Sequence, residues 1–280
     1  GREPRAREPL ASTMETALRY DAKAAAQLVA IQLTPDMVAQ RAAVLRALVP
    51  GAGDRVLDVG SGPGLLAAAI AERVGAAGRV LGVDISASLL AYARMHFASM
   101  PWLRFVQADA ARLPCRDASF DTIVCTQALE YLRDADAALA EFARVLRPGG
   151  QLLAIDTDWD SIVWASSDAA RMARVLALWD EHVADPHLPR TLGRRIERAG
   201  FERVCVRAMP LLNPAFDPDT YSNRLIDLIA SFATSRGADE GDVDAWARDL
   251  RGRDDYFFSL NRYLFFAMRA RERVGVAVIR

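Results

Sequence analysis

The sequence predicts an α/β protein built on a parallel sheet, and three observations carry that expectation. Short apolar runs at 55–59, 80–84, 105–109 and 120–126, the last three ending in a polar or acidic residue, alternate with longer segments of helical periodicity. The first run stops at a glycine turn, Gly60-Ser61-Gly62-Pro63-Gly64, that opens directly into a helix. With 280 residues, 52% of them hydrophobic, the chain can bury one large core, alone or with a cap.

Within the first unit, Val56, Leu57 and Val59 read as the end of a buried strand, and Leu65, Leu66, Ala69, Ile70 and Val74 as one face of a helix stopped by Gly75. A strand feeding a helix through glycines places free backbone N–H groups and a positive helix end at the carboxyl edge of the sheet, where ligands bind. A dinucleotide fingerprint needs a small residue where Leu65 stands, and the Asp58 carboxylate repels a pyrophosphate but suits an ammonium group. The stretch Arg55 to Gly64 resembles motif I of the class I S-adenosylmethionine-dependent methyltransferases, and most closely the broad group that includes the ubiquinone and menaquinone methyltransferases. Their cofactor has an amino-acid end and a sulfonium but no phosphate. The resemblance is firm from about residue 52 to 156 and thin beyond 160.

It implies a Rossmann-like seven-stranded, mostly parallel sheet whose strand seven runs antiparallel beside strand five. It also implies S-adenosylmethionine as cofactor, S-adenosylhomocysteine as product, and a methionine-end site at Asp58, Gly60, Ser61, Gly62 and Gly64. Asp84, with Ile85, ends the second strand at the place where an acid grips ribose hydroxyls; Asp109, with Ala110, ends the third and is assigned the adenine amino group. The competing reading of both acids is a helix cap or turn.

Residues 1–12 carry charge, prolines and no apolar periodicity, and are expected to be a disordered tail. Two helices over 13–50 follow, the second opened by Thr34-Pro35 with an inner stripe at Val38, Ala42, Leu45 and Val49. By resemblance they cap the methionine end, with Tyr20 and Arg41 as candidate contacts to the cofactor carboxylate. A cofactor-binding half is expected over 51–160 and a substrate-side half over 161–280. Ser86 caps the helix before Pro101. The strand at 120–126 delivers Gln127, Ala128, Leu129 and Glu130 to the cofactor edge, and Gln127 is the candidate at the cofactor–acceptor junction.

Strand five is expected at 151–155 and ends in Asp156-Thr157-Asp158-Trp159-Asp160, the most unusual local composition in the chain. Asp156, Asp158 and His187 are the candidate general bases, if the acceptor must lose a proton. Residues 217–253 read as a helical insertion able to form a lid. Trp159, Asn213, Tyr256, Phe257, Ser259 and Asn261 are expected to wall the acceptor pocket.

A net charge of −1 argues against a nucleic-acid partner held by bulk electrostatics. The three cysteines, Cys115, Cys125 and Cys205, lack metal-ligand spacing, and no apolar run is long enough for a membrane helix. The expectation is a cytoplasmic monomer or homodimer, with no metal and no membrane partner, that methylates a small molecule. The favoured acceptor is a nitrogen or oxygen atom of a natural product. The alternatives are carbon methylation of a quinone or phenol, or a scaffold of the same fold that binds the cofactor without transferring methyl.

Overall fold

The apolar run at 55–59 lies inside the sheet: every one of its residues from Val56 to Val59 is buried, so it needs strands on both edges and helices on both faces. The computed structural model describes residues 22–271, and Tyr20 and the 1–12 tail lie outside them. The strands are β1 (Arg55–Val59), β2 (Arg79–Asp84), β3 (Leu103–Gln107), β4 (Phe120–Thr126), β5 (Leu146–Trp164), β6 (Phe201–Asn213) and β7 (Phe258–Arg269). They form one sheet in the order β3-β2-β1-β4-β5-β7-β6. Pairing is parallel from β3 to β5, and β7 runs antiparallel to both β5 and β6, as the resemblance implied.

The helices are α1 (Ala22–Gln32), α2 (Pro35–Leu48), α3 (Leu65–Val74), α4 (Ala87–His96), α5 (Ala135–Val145), α6 (Ala169–Trp179), α7 (Pro189–Arg198), α8 (Tyr221–Ser235) and α9 (Glu240–Arg251). One sheet face packs Leu139, Phe142, Leu192 and Ile196 of α5 and α7; the other packs Val44, Ala67, Ile70 and Leu90 of α2, α3 and α4. A third apolar cluster gathers Trp164, Val175, Ile229, Trp246 and Phe258, joining α6, α8 and α9 to the far ends of β5 and β7. No helix among the described residues is long and apolar enough to cross a membrane.

Three local expectations are corrected. The buried stripe of α2 is Met37, Gln40, Val44 and Leu48, while Val38 and Val49 are exposed. In an alanine-rich helix two faces a single residue apart carry similar apolar content, and the contacts made by Met37 and Leu48 decide between them. Thr34 precedes Pro35 as expected, but its hydroxyl donates to the Ile31 carbonyl at 2.8 Å rather than capping α2. Strand five is much longer than 151–155. Its pairing with β4 jumps from Leu146 to Gln151, which bulges Arg147 to Gly150 out, and its far end continues to Trp164 because β7 supplies partners there.

Candidate functional site

β1 and β2 end side by side at the carboxyl edge, which brings Asp58, the glycine turn and Asp84 together. Gly60 has φ 72°, and a Cβ there would stand 2.4 Å from that of Ala128, so neither its conformation nor its surroundings admit a side chain. Gly64 has φ 79° and faces the Phe105 ring in the same way. The turn is held by Gly62 N–H donating to Asp84 Oδ2, while Ser86 N–H donates to Asp84 Oδ1, both at 2.8 Å. Asp84 thus fixes the loop and the start of α4 while its carboxylate lines the cavity.

That cavity has a volume of about 600 Å³. Asp58, Gly60, Ser61, Gly62, Asp84, Ile85, Ala110 and Gln127 line it. Asp58 is 1% exposed, and neither carboxylate oxygen makes a hydrogen bond of good geometry. Burial first and the neighbouring Asp84 charge second raise its pKa to about 7, with the Ala67 amide opposing slightly. A buried acid of this kind, open to a cavity and without a cation among the described residues, fits an ammonium group. Asp109 does not line the cavity; its Oδ1 accepts from Ala111 N–H at 2.9 Å, a turn contact, and the cavity meets Ala108 and Ala110 on either side of it. Arg41 also stands off the wall, donating to the Gln32 carbonyl at the end of α1.

The acceptor-side candidates separate more sharply. Trp159 lines the cavity, but Asn213, Tyr256, Phe257, Ser259 and Asn261 do not. The reason is the length of β5 to β7, whose ends project past the cofactor edge. Asn213 donates to Asp36 Oδ1 and Tyr256 to Ser222 Oγ, Ser259 and Asn261 sit opposite Val163 and Asp158, and Phe257 is exposed. Asp158 is held by Arg190, with Nε on Oδ2 at 3.0 Å and Nη2 on Oδ1 at 2.9 Å; His187 Nδ1 stands 3.6 Å from both Asp158 and Asp160. Asp158, Asp160 and His187 could converge on a metal ion, but the Arg190 guanidinium already bridges both carboxylates. Asp156 is fully buried below the wall, accepting from Glu130 N–H at 3.3 Å.

The vault is instead made by Leu28 and Ile31 of α1, Tyr131, Trp179 of α6, and Tyr221, Leu225 and Leu228 of α8. Trp159 and Trp179 meet edge to face with centroids 5.5 Å apart, and His182 stacks on Trp179. His182 Nδ1 donates to the Trp179 carbonyl, which leaves Nε2 as the lone-pair nitrogen; burial lowers its pKa to about 3 and keeps the ring neutral. The expectation at 217–253 did place helices there, but not which side chains reach the cavity. Another group escaped notice in the sequence: Arg262 is fully buried, although an arginine on the inward face of an alternating apolar strand is itself a signal.

A mostly parallel sheet whose first strand ends in a glycine turn beside one buried and one half-buried acid is the architecture of a class I methyltransferase. The family model described as a methyltransferase domain matches residues 57–154. A 2-phytyl-1,4-naphtoquinone methyltransferase of Thermosynechococcus vestitus is 34% identical over 175 residues, covering 57% of this chain and 76% of that one. The ubiquinone/menaquinone biosynthesis C-methyltransferase of Teredinibacter turnerae is 42% identical over 107 residues, covering 37% and 43%. The chain belongs to the class I S-adenosylmethionine-dependent methyltransferases. It nevertheless spans less than half the length of the first curated relatives it matches, 43 to 46%. Among solved structures, a Haemonchus contortus phosphoethanolamine N-methyltransferase in complex with S-adenosylhomocysteine shares the fold, with a TM-score of 0.62 at 20% identity over 90% of this chain and 59% of that one.

Proposed function

We propose that this chain transfers the methyl group of S-adenosylmethionine to a small acceptor with a flat, oxygen-bearing ring, a phenol or quinol methylated on oxygen or on ring carbon. The observation that carries the reading is that one cavity joins the cofactor edge to an apolar and aromatic vault in which, among the described residues, Asp58 and Asp84 are the only carboxylates, both on the cofactor side. A cavity of about 600 Å³ is within the roughly 300–1,000 Å³ range of sites that enclose a small ligand. The sulfonium, when bound, supplies an already electrophilic methyl carbon, so the protein has to orient and to exclude water. Asp58 receives the ammonium group, Asp84 the ribose hydroxyls, and the turn at Gly60 to Gly64 lets the backbone approach. Trp159, Trp179 and Tyr221 hold the ring, and α1 and α8 close over it. A cationic amine acceptor, which the acids after strand five would have served, finds no carboxylate on the vault side of the wall among the described residues; a natural-product oxygen acceptor remains within the reading.

The test is mass spectrometry of reactions containing S-adenosylmethionine and a panel of naphthols, quinols and aromatic amines. Methylated product with stoichiometric S-adenosylhomocysteine from a phenol or quinol is the expected result. Turnover of amines alone would sink the acceptor assignment, and tight cofactor binding with no transfer to any acceptor would favour a non-methylating scaffold.

A further inference from the structure

Among the charged side chains outside the cavity, Arg262 of β7 is fully buried, and its side-chain contacts among the described residues are to uncharged groups. An arginine so placed is costly, because its guanidinium has left water without an ion pair in exchange. Its partners are neutral and come from three separate elements. Nη1 donates to Gln40 Oε1 and meets Met37 Sδ at 3.0 Å, both on α2. The guanidinium carbon sits 4.5 Å from the centre of the Tyr221 ring, the first residue of α8. With the Gln127 carboxamide oriented by this network, its Oε1 accepts from Nε at 3.1 Å and from Nη2 at 3.0 Å.

Three of these partners, Met37, Tyr221 and Gln127, line the cavity, and Arg262 itself does not. Gln127 is also a non-glycine residue at φ 52°, a conformation that persists only where surroundings over-determine it. A paired fork from a rigid, buried guanidinium is such a determinant. The buried Glu130 feels this charge: its Oε2 accepts from Thr157 N–H at 2.9 Å, and Arg262 opposes in part the burial that raises its pKa. The charge is thus held by strands β5 and β7 while its donors point at the two helical caps and at the residue after β4.

We propose that Arg262 is the positioning residue of the methyl-transfer site: it sets the Gln127 carboxamide at the junction of cofactor and acceptor and pins α2 and α8 to the sheet, without touching either ligand. The inference rests on the methyltransferase reading above. It assigns a role to the one inward-facing charge of β7, which neither cofactor binding nor the acceptor vault accounts for.

The experiment is a double-mutant cycle on the full chain, read by calorimetric titration with S-adenosylhomocysteine and by thermal melts. Arg262→Lys keeps the charge and most of the volume but loses the fork. It should weaken binding by about fivefold to tenfold, the loss expected for one to two hydrogen bonds. Gln127→Ala should weaken it similarly, and the double variant no more than either single one, because both remove the same contact. If Arg262→Lys does not fold, Gln40→Leu replaces it in the cycle: removing the Nη1 partner should weaken binding severalfold in the wild-type background and not at all beside Gln127→Ala. Losses that simply add, or a lowered melting temperature with unchanged affinity, would overturn the proposal and leave Arg262 a structural arginine. Wild-type protein that does not bind S-adenosylhomocysteine would instead overturn the methyltransferase reading, and the proposal with it.

Discussion

At the cofactor edge, Asp58, Gly60 and Asp84 all come from the ends of two adjacent strands in fixed register, whereas the acceptor side of the same cavity takes Ile31 from α1, Trp159 from β5, Trp179 from α6 and Leu225 from α8. The first region is built by backbone geometry within some 30 residues, and a single wrong side chain ruins it. The second is built by side chains converging from across the chain, and each contributes packing rather than shape. The difference teaches where the molecule tolerates change: the edge is brittle, and the vault can be altered one wall at a time.

The largest effect should come from a side chain at Gly60. Gly60→Val has to place Cβ where Ala128 already lies and to hold a β-branched residue at φ 72°. A stability loss of roughly 3 kcal/mol or more is expected, together with loss of measurable S-adenosylhomocysteine binding. Leu228→Ala, on the half-buried outer wall of the vault, should cost only about 1 to 2 kcal/mol and leave cofactor affinity close to wild type. Equal damage to cofactor binding from both variants would break the comparison.

Next in size is Asp84→Ala. It removes a charged acceptor from the ribose site and from the amides of Gly62 and Ser86, so cofactor binding should weaken by about 2 to 4 kcal/mol in calorimetry. Unchanged affinity would return Asp84 to the role of a turn acid alone.

A pH series sharpens the contrast. Asp58 at the edge and Glu130 beneath the vault both have folded pKa values raised to about 7, from 3.8 and 4.5, and that of Asp156 is raised well above its ordinary value, in each case chiefly by burial. A raised carboxyl pKa means that the folded state holds its proton more tightly than the unfolded chain. These groups therefore stabilise fully below about pH 4, and their contribution is lost as pH rises towards 7 and above. His182, lowered to about 3, acts in the opposite sense: its share is present above 6.5 and lost as pH falls. Between pH 6.5 and 8 the carboxyls act alone, and the ligand-free protein should lose at least about 5 °C of melting temperature. Asp58→Asn, or saturating S-adenosylhomocysteine, should reduce that slope, while the share owed to Glu130 and Asp156 stays. A slope untouched by the ligand would mean that Asp58 does not meet the ammonium group.

The same division explains what could be read from the sequence. The strand ends, the glycine turn and Asp58, Asp84 and Gln127 were legible because β1 to β4 are short-range units in which the acid follows directly from its strand. Strand seven's direction was legible through the resemblance alone. The acceptor wall was not: reading Asn213, Tyr256 and Asn261 into it assumed that β5 to β7 end level with the cofactor edge, when β7 pairing carries them past it into the third apolar cluster. Nor was Trp179, which reads as an ordinary core residue of α6 until its edge contact with Trp159 places both at the cavity. The stripe of α2 was misplaced by one residue because alanine gives no contrast between faces.

The smallest effect is expected where the sequence pointed most strongly to chemistry, at Asp158. The carboxylate is committed to Arg190 through two hydrogen bonds, shares that guanidinium with Asp160, and does not line the cavity. Its side chain is 12% exposed, but that of Arg190 is 49% exposed, so solvent screens the pair. Asp158→Asn keeps the shape and one acceptor, and should lower stability by about 1 kcal/mol at most. Cofactor affinity should be unchanged, because Asp58 and Asp84 are the acids that meet the cofactor edge. Turnover of the acceptor identified in the panel should stay within roughly threefold of wild type, since a group that neither reaches the cavity nor changes charge there moves no proton in the reaction. A general base would behave differently, losing about a hundredfold or more with affinity intact. That outcome would require the Asp158–Arg190 pair to open when the acceptor binds, and would make the far ends of β5 and β7 part of the acceptor site after all.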